Sequence, residues 1–580
     1  MSSPVATSSD RRGLWRWTVA SVATAALVVS GSGLVVFAQS GDGSSQGPVF
    51  VPADAVAYAE ARLDLPAGQD EALAQMMTAF PGFADAGSFE MKTDELIGMV
   101  AAQAGLALPE GDLIGDVFTG EIGLALSELE AAMMGGEPSV LIGLAAADAE
   151  AAASAMQALV DNAAVEMTES TYNDTTIVTD MSSSPPMSVA MHGDWMLLGT
   201  GESVVQASID VLDGNAPSLA EDPDFAAAWS RVPDDRLAAG SIDFSSMGSL
   251  VDMGAMLAEA EAGMALPMDD LQGLLPVDMT ASLVAETDRL ELEALVTPGE
   301  ATPPMPFGDS ELSLSFPADT QIYYETRELG SAVESGLNAV AEVLEAQSEA
   351  MAADGAMGAI DDIGLLIGDE SPITALLGVP LPEYLDFVGD AGFGAALSSD
   401  GLWFGIAAEV TDAALADDRI TSLTTILRLF TMEMEGEGVG IDSSEVGGVE
   451  VTTITLPIDA ALAEQGLPIA VGDSIDVALT DDTLLIGLGD FVESAILIED
   501  ADSLGTSAGY VDALGDQVPN SGLTYVNVTS LQTALDPMLA MMAPEWGDIA
   551  PFAAGVDRIM AVGIGDEEVM GVRMSVITGQ

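Results

Sequence analysis

Leu290, Leu292, Ala294 and Val296 alternate with Glu291 and Glu293, the two-residue period of a strand with one apolar face. Thr287-Asp288 predicts the turn that leads into it from Ser282-Leu283-Val284-Ala285, so the pair reads as a hairpin. The end of the chain repeats the device, with Asp566-Glu567-Glu568 as the turn before a strand from Val569 to Ile577. Between such groups the period lengthens to that of a helix: 148–161 and 330–347 are Ala-rich and amphipathic. Asp243-Phe244-Ser245-Ser246 carries the polar residues that cap another helix start. Strands arriving as hairpins, with helices between the groups, predict an α+β fold with largely antiparallel sheets.

The pattern occurs twice. Val51-Pro52-Ala53-Asp54 leads into Tyr58-Ala59-Glu60-Ala61-Arg62, and Phe316-Pro317-Ala318-Asp319 leads into Tyr323-Tyr324-Glu325-Thr326-Arg327. Further echoes follow in the same order. Phe118 to Gly123 answers Phe387 to Gly392, Ile142 to Ala146 answers Phe404 to Ala408, and Val189 to Gly199 answers Val477 to Gly487. Val232-Pro233 answers Val518-Pro519, and Ile242 to Ser246 answers Val526 to Ser530. A shared order of this kind predicts a tandem duplication of one α+β module. The first copy spans 51–297 and the second 311–580, with a proline-rich linker over 298–310 (Pro298-Gly299, Pro303-Pro304, Pro306).

Ahead of the modules, residues 17–38 carry no charge and are rich in Ala, Val and Leu. As a helix they reach about 33 Å, enough to cross a bilayer's hydrocarbon core. Arg11, Arg12 and Arg16 precede this stretch and no basic residue follows until Arg62. The positive-inside rule then predicts a single-pass anchor with 1–16 in the cytoplasm and the body outside. The glycine- and serine-rich 39–50 reads as a flexible linker. The alternative is secretion after cleavage of a signal peptide near Val36-Phe37-Ala38.

Charge narrows the partners. The chain has 94 acidic residues against 13 basic ones, a formal net charge of −81. Such a surface repels phosphate backbones, which argues against nucleic acid, and it suits solvation at high ionic strength or a cationic partner. There is no cysteine, so disulfides, thiolate catalysis and Cys-ligated metals are absent, and His192 is the sole histidine. No cofactor is implied.

Gly505-Thr506-Ser507-Ala508-Gly509 fits the hydrolase elbow, but that elbow needs a histidine later in the chain, and His192 lies far upstream. It reads as a small-residue loop. Lys92 follows Ser88 by four positions, not the three of a Ser-x-x-Lys pair. His192 itself is expected at a hairpin turn. Acidic doublets at Asp234-Asp235, Asp269-Asp270, Asp361-Asp362, Asp417-Asp418 and Asp481-Asp482 read as solvated turns or helix ends. The candidate site is instead the repeated Glu60-x-Arg62 and Glu325-x-Arg327. Basic residues are scarce, yet both copies keep one here, on the strand face shared with Tyr58 and Tyr323. These four residues either form internal ion pairs that fix register or make paired contacts with an anion.

The paired Pro-Ala-Asp openings and the strand from Phe118 to Leu126 resemble the bacterial domain-of-unknown-function 3352 family (DUF3352). The resemblance implies an N-terminally anchored envelope protein of unknown role and supplies no catalytic residues. Together the expectations are a membrane-anchored, extracytoplasmic, non-catalytic binding or scaffolding protein. Thirty methionines either fill the core or line a groove for a hydrophobic or peptidic partner. The alternative is a secreted hydrolase with a carboxylate pair facing a cleft.

Overall fold

The computed structural model describes residues 39–40 and, with short interruptions, 47–83, 118–127, 139–245, 276–330, 377–458 and 470–579. The expected anchor over 17–38, most of the helix expected over 330–347, and Ser88 and Lys92 lie outside the described residues. Among the described residues no helix is long and apolar enough to cross a membrane. The fold is mixed α/β with extensive antiparallel sheet, and the described residues fall into two compact units, up to 302 and from 303 to 579.

In the first unit, apart from the short parallel pair of Gln39–Ser40 with Asp64–Leu65, the described strands are β1 (Ala57–Arg62), β2 (Phe118–Ser127), β3 (Ser139–Ala146), β4 (Met167–Tyr172), β5 (Thr175–Asp180), β6 (Met187–His192), β7 (Trp195–Thr200), β8 (Ala238–Asp243), β9 (Asp278–Ala285) and β10 (Arg289–Thr297). They pair antiparallel in the order β10-β9-β8-β1-β2-β3-β7-β6-β5-β4. In the second unit they are β11 (Ile322–Thr326), β12 (Val388–Ser398), β13 (Gly401–Val410), β14 (Gly440–Val446), β15 (Val449–Thr455), β16 (Ser474–Leu479), β17 (Thr483–Leu488), β18 (Gly522–Asn527), β19 (Val556–Gly565) and β20 (Met570–Thr578). Their order is β20-β19-β18-β11-β12-β13-β17-β16-β15-β14, the same as in the first unit, strand for strand.

Register makes the correspondence residue-specific. Ala57 faces Ile242 and Asp243 faces Asp278 in one unit; Ile322 faces Val526 and Asn527 faces Arg558 in the other. Ser241 therefore corresponds to Tyr525, and Asp278 to Arg558. The expected hairpins at 286–288 and 566–568 are present. The β4–β5 turn uses Asn173 and Asp174 at positive φ, where its counterpart uses Gly447 and Gly448, the backbone a two-residue hairpin turn requires.

Helices cover both faces of the central strands, which is why those strands read as apolar runs and not as a strict alternation. α1 (Gln69–Met77) packs Leu73 and Met76 on Leu65, Leu237 and Ala285. α2 (Ala149–Asn162) lays Ala152 and Met156 on Met196 and Leu144, while α3 (Glu202–Leu212) places Val205 and Ile209 in the opposite core with Phe50, Trp195 and Leu197. The Asp148 carboxylate accepts from the N–H groups of Glu150 and Ala151 at 2.9 and 3.0 Å and so caps α2. α4 (Pro223–Trp229) completes this unit's described helices beside β8 and β9.

The second unit repeats the plan with α5 (Ala413–Glu433), capped by Asp412, then α6 (Phe491–Leu497), α7 (Ala508–Leu514), α8 (Val528–Met542) and α9 (Trp546–Ala553). Each core rests on a floor of glycines. A β-carbon on Gly123 or Gly143 would fall 2.8 or 2.5 Å from the Phe50 ring, so only glycine lets Phe50 lie flat on β2 and β3. Phe316 uses Gly392 and Gly394 in the same way.

Candidate functional site

The alternation of β1 sets Tyr58, Glu60 and Arg62 on one face, and all are buried, Glu60 at 0 % and Arg62 at 1 % exposure. A charge taken out of water needs a partner. The Tyr58 hydroxyl donates to Glu60 Oε2 at 2.8 Å. Arg236, just ahead of β8, donates from Nε to Glu60 Oε1 at 2.9 Å and from Nη2 to the same oxygen. Its Nη1 donates to the Pro233 carbonyl at 2.9 Å, and its guanidinium lies 5.2 Å from the Trp229 ring. Arg62 stands in register with Glu121 of β2, itself buried.

The second unit builds the same cluster differently. Glu325 and Arg327 are 2 % and 4 % exposed. Tyr323 donates to Glu325 Oε2, and Arg327 Nη1 reaches Glu325 Oε1 at 2.6 Å and Asp390 Oδ2 at 2.8 Å. Its Nε donates to the Asn520 carbonyl at 3.1 Å and its Nη2 to Asn520 Oδ1 at 2.7 Å. Burial first, and then the Glu60 charge, raises the Tyr58 pKa well above the ordinary tyrosine value. Burial and then Glu325 raise Tyr323 likewise, so both phenols remain hydrogen-bond donors. Glu60, Glu325 and Arg327 thus each have an oppositely charged partner inside the protein, and Arg62 stands beside Glu121. Arg236, Asn520, Glu121 and Asp390 complete the clusters. Sequence offered a signal for the two acids alone, which fall in the echoed strands around Phe118 and Phe387.

Above Tyr58 the first unit has a cavity of about 210 Å³. Its walls include Ala53, Ala57 and Ser241 from the sheet side and Asp222, Phe225 and Ala227 from α4 and its cap, with Asp243, Val277 and Asp278 along the strand ends. The Asp222 carboxylate accepts from the N–H groups of Asp224 and Phe225 at 3.0 and 2.9 Å. Asp243 accepts from Ser245 N and Oγ at 2.8 and 2.6 Å. Asp278 pairs with Arg231 at 3.0 Å. The floor is apolar and aromatic and the rim is acidic. No motif marked this place, because its residues are contributed by four separate stretches of chain.

In the second unit the corresponding space is filled. Tyr525 replaces Ser241 and packs edge-on against Tyr510, ring centroids 5.4 Å apart. Arg558 replaces Asp278 and extends from β19 to α7, where Nη1 donates to the Gly509 carbonyl at 2.6 Å and to Asp512 at 3.2 Å. Its Nε donates to Asp557 at 2.7 Å.

The remaining sequence candidates have structural settings. His192 ends β6 at a hairpin, with Nδ1 at 2.7 Å from Thr175 Oγ1 and Nε2 at 3.0 Å from Asp213. Ser507 is the N-cap of α7, its Oγ accepting from Tyr510 N at 3.4 Å, a helix cap where the elbow motif would place a nucleophile. Asp234-Asp235 and Asp481-Asp482 lie at turns or bends, whereas Asp417-Asp418 lies inside α5 and not at its end. Asp269-Asp270 and Asp361-Asp362 lie outside the described residues. Among the described residues no three His, Asp or Glu side chains are gathered so as to hold a metal ion.

No curated protein matches the chain. Among solved structures, crystal form III of TP0453 is similar with a TM-score of 0.25 and 10 % identity, over 46 % of this chain and 90 % of that one. Crystal form I of TP0453 gives 0.24 and 10 % over 46 % and 83 %. The model of DUF3352, described as a protein of unknown function, matches residues 118–345. The family whose model matches residues 118–345 is thus the one the motifs of the chain resemble.

Proposed function

We propose that this protein is a non-catalytic binding protein of the cell envelope, made of two copies of one module and anchored through residues 17–38 with its body outside. The observation that carries the binding reading is the cavity over Tyr58, about 210 Å³ in the first unit, set against a counterpart plugged by Tyr525 and Arg558. The smaller Ser241 and Asp278 stand where Tyr525 and Arg558 fill the second unit. A hydrolase of the carboxylate-pair type asks for two carboxyls facing each other across a cleft. Asp222, Asp243 and Asp278 are tied instead to backbone N–H groups, Ser245 and Arg231. The Glu-x-Arg pairs act as internal braces beneath the site.

The test is native mass spectrometry of the full chain purified from its own membranes, before and after denaturation. A reproducible mass lost on denaturing supports binding. An empty protein that also takes up no added small molecule would sink it. Protease added to intact cells checks the orientation, with the body cut and residues 1–16 protected.

A further inference from the structure

We infer that the cavity of the first unit takes a small organic cation, a guanidinium or alkylammonium group on a short apolar stem. The inference rests on the binding reading above and names its ligand class. The second unit supplies the reasoning. At the place that corresponds to the cavity, Arg558 lays a guanidinium between β19 and α7, held by the Gly509 carbonyl, Asp512 and Asp557, while Tyr525 fills the space beside it. Its propyl stem and the Tyr525 hydroxyl lie against the helix at Gly509, where a β-carbon would be 3.5 and 3.6 Å from them. One copy of the module thus carries, as its own side chain, the kind of group that the other copy has room for.

The lining of the first unit fits that exchange. Asp278 stands where Arg558 stands and Ser241 where Tyr525 stands, so two large groups are removed; Val277 and Ala227 stand where Asp557 and Asp512 hold the guanidinium, so the first unit places its carboxylates differently, at Asp222, Asp224, Asp243 and Asp278. Asp224 of α4 occupies the position of Gly509, adding a further carboxylate at the mouth. Ala53, Ala57, Leu219 and the rings of Tyr58 and Phe225 leave an apolar bed for the stem. Arg231 neutralises Asp278 from outside the lining, which leaves Asp222, Asp224 and Asp243 to set the sign of the site. A volume of about 210 Å³ is below the roughly 300–1,000 Å³ of drug-sized sites, so the occupant is a side-chain-sized group and not a bulky cofactor.

The experiment titrates the full chain in detergent, by calorimetry at low salt, with n-butylguanidinium, n-butanol and butyrate, which carry straight alkyl stems of three or four carbons and differ in the head. Butylguanidinium is expected to bind at one site at least ten times more tightly than butanol, with butyrate the weakest, and to weaken as salt screens the rim. The double variant Ser241→Tyr/Asp278→Arg, which copies the second unit, is expected to lose at least ten-fold in affinity. Should that variant fail to fold by circular dichroism, Ala227→Phe at the exposed mouth is expected to block the site on its own. Equal binding of butylguanidinium by wild type and by both folded variants would overturn the inference. Tighter binding of butanol or butyrate would also overturn it while leaving a binding function standing. No uptake of any of the three, with an empty protein in native spectra, would sink both.

Discussion

Arg236 and Asn520 stand at the same place in their two sheets, each two residues before the residue that pairs with Ala61 or Thr326. Arg236 turns its guanidinium to Glu60, whereas Asn520 turns its amide oxygen to Arg327. One exchange reorganises the cluster. With Arg236 present, Glu60 is paired across the sheet and Arg62 lies beside Glu121; without it, Arg327 serves Glu325 and Asp390 together. The first cluster is thereby balanced, two acids against two arginines, and the second has one positive charge fewer.

Arg236→Met leaves the Glu60 carboxylate buried with its strongest partner removed. Breaking a buried pair from one side costs about 3–5 kcal/mol, read as a drop in the urea midpoint. Glu60→Gln/Arg236→Met removes both charges, and its loss is expected to fall short of the sum of the single losses by about 1–3 kcal/mol. Additive losses would mean that the pair is not a coupled unit. Asn520→Ala is expected to cost less, about 1–3 kcal/mol, because the carbonyl that accepts from Arg327 Nε remains.

Gly143→Ala puts a methyl group 2.5 Å from the Phe50 ring, which is fully buried and tilted by 34° against Trp195 with ring centroids 4.6 Å apart. Overpacking of that kind costs about 1–3 kcal/mol. Phe50→Leu in the same chain is expected to recover part of the loss, since it vacates the space the methyl group needs. Thermal unfolding of the single and double variants checks this, and a double variant no more stable than Gly143→Ala would contradict the flat-ring packing.

Hairpins, helices and the order of the repeat were legible in sequence because each depends on local period and on turn residues: Thr287-Asp288, Asp566 to Glu568 and the Val189–Gly199 segment all fall where the strands reverse. The burial of Tyr58, Glu60 and Arg62 together was legible in part, since alternation puts them on one face but does not say whether that face is wet. Arg236 was not legible, because its role depends on β8 pairing with β1 across a long stretch of chain. The cavity was the least legible feature. It is a difference between Ser241 and Tyr525 and between Asp278 and Arg558, and it becomes visible only when register aligns the two units.

Asp222 caps α4 through two backbone N–H groups, and its counterpart Ser507 caps α7 through one longer contact. Asp222→Ala is therefore expected to cost about 1 kcal/mol, and Ser507→Ala less, within the range of helix caps. The second variant also tests the elbow motif. A Ser507→Ala chain that loses an ester-hydrolysing activity measurable in the wild type would show that Ser507 acts as more than a cap.

Alkaline pH should unfold the protein through its buried phenols. Burial raises the pKa values of Tyr58, Tyr323 and Tyr510, and the nearby Glu60 and Glu325 raise them further. The unfolded chain releases these protons near pH 10, while the folded chain keeps them. Above about pH 10 the folded state therefore holds more protons than the unfolded one, and stability falls as pH rises, by up to about 1.4 kcal/mol per unit for each such group. Below that pH their contribution is present in full and flat. Phenolate absorbance and circular dichroism followed together from about pH 8 to about pH 12 check this. The absorbance of these three tyrosines is expected to appear only as the fold is lost. Titration of all seven tyrosines near pH 10 with the dichroism unchanged would show that the phenols over Glu60 and Glu325 are open to water.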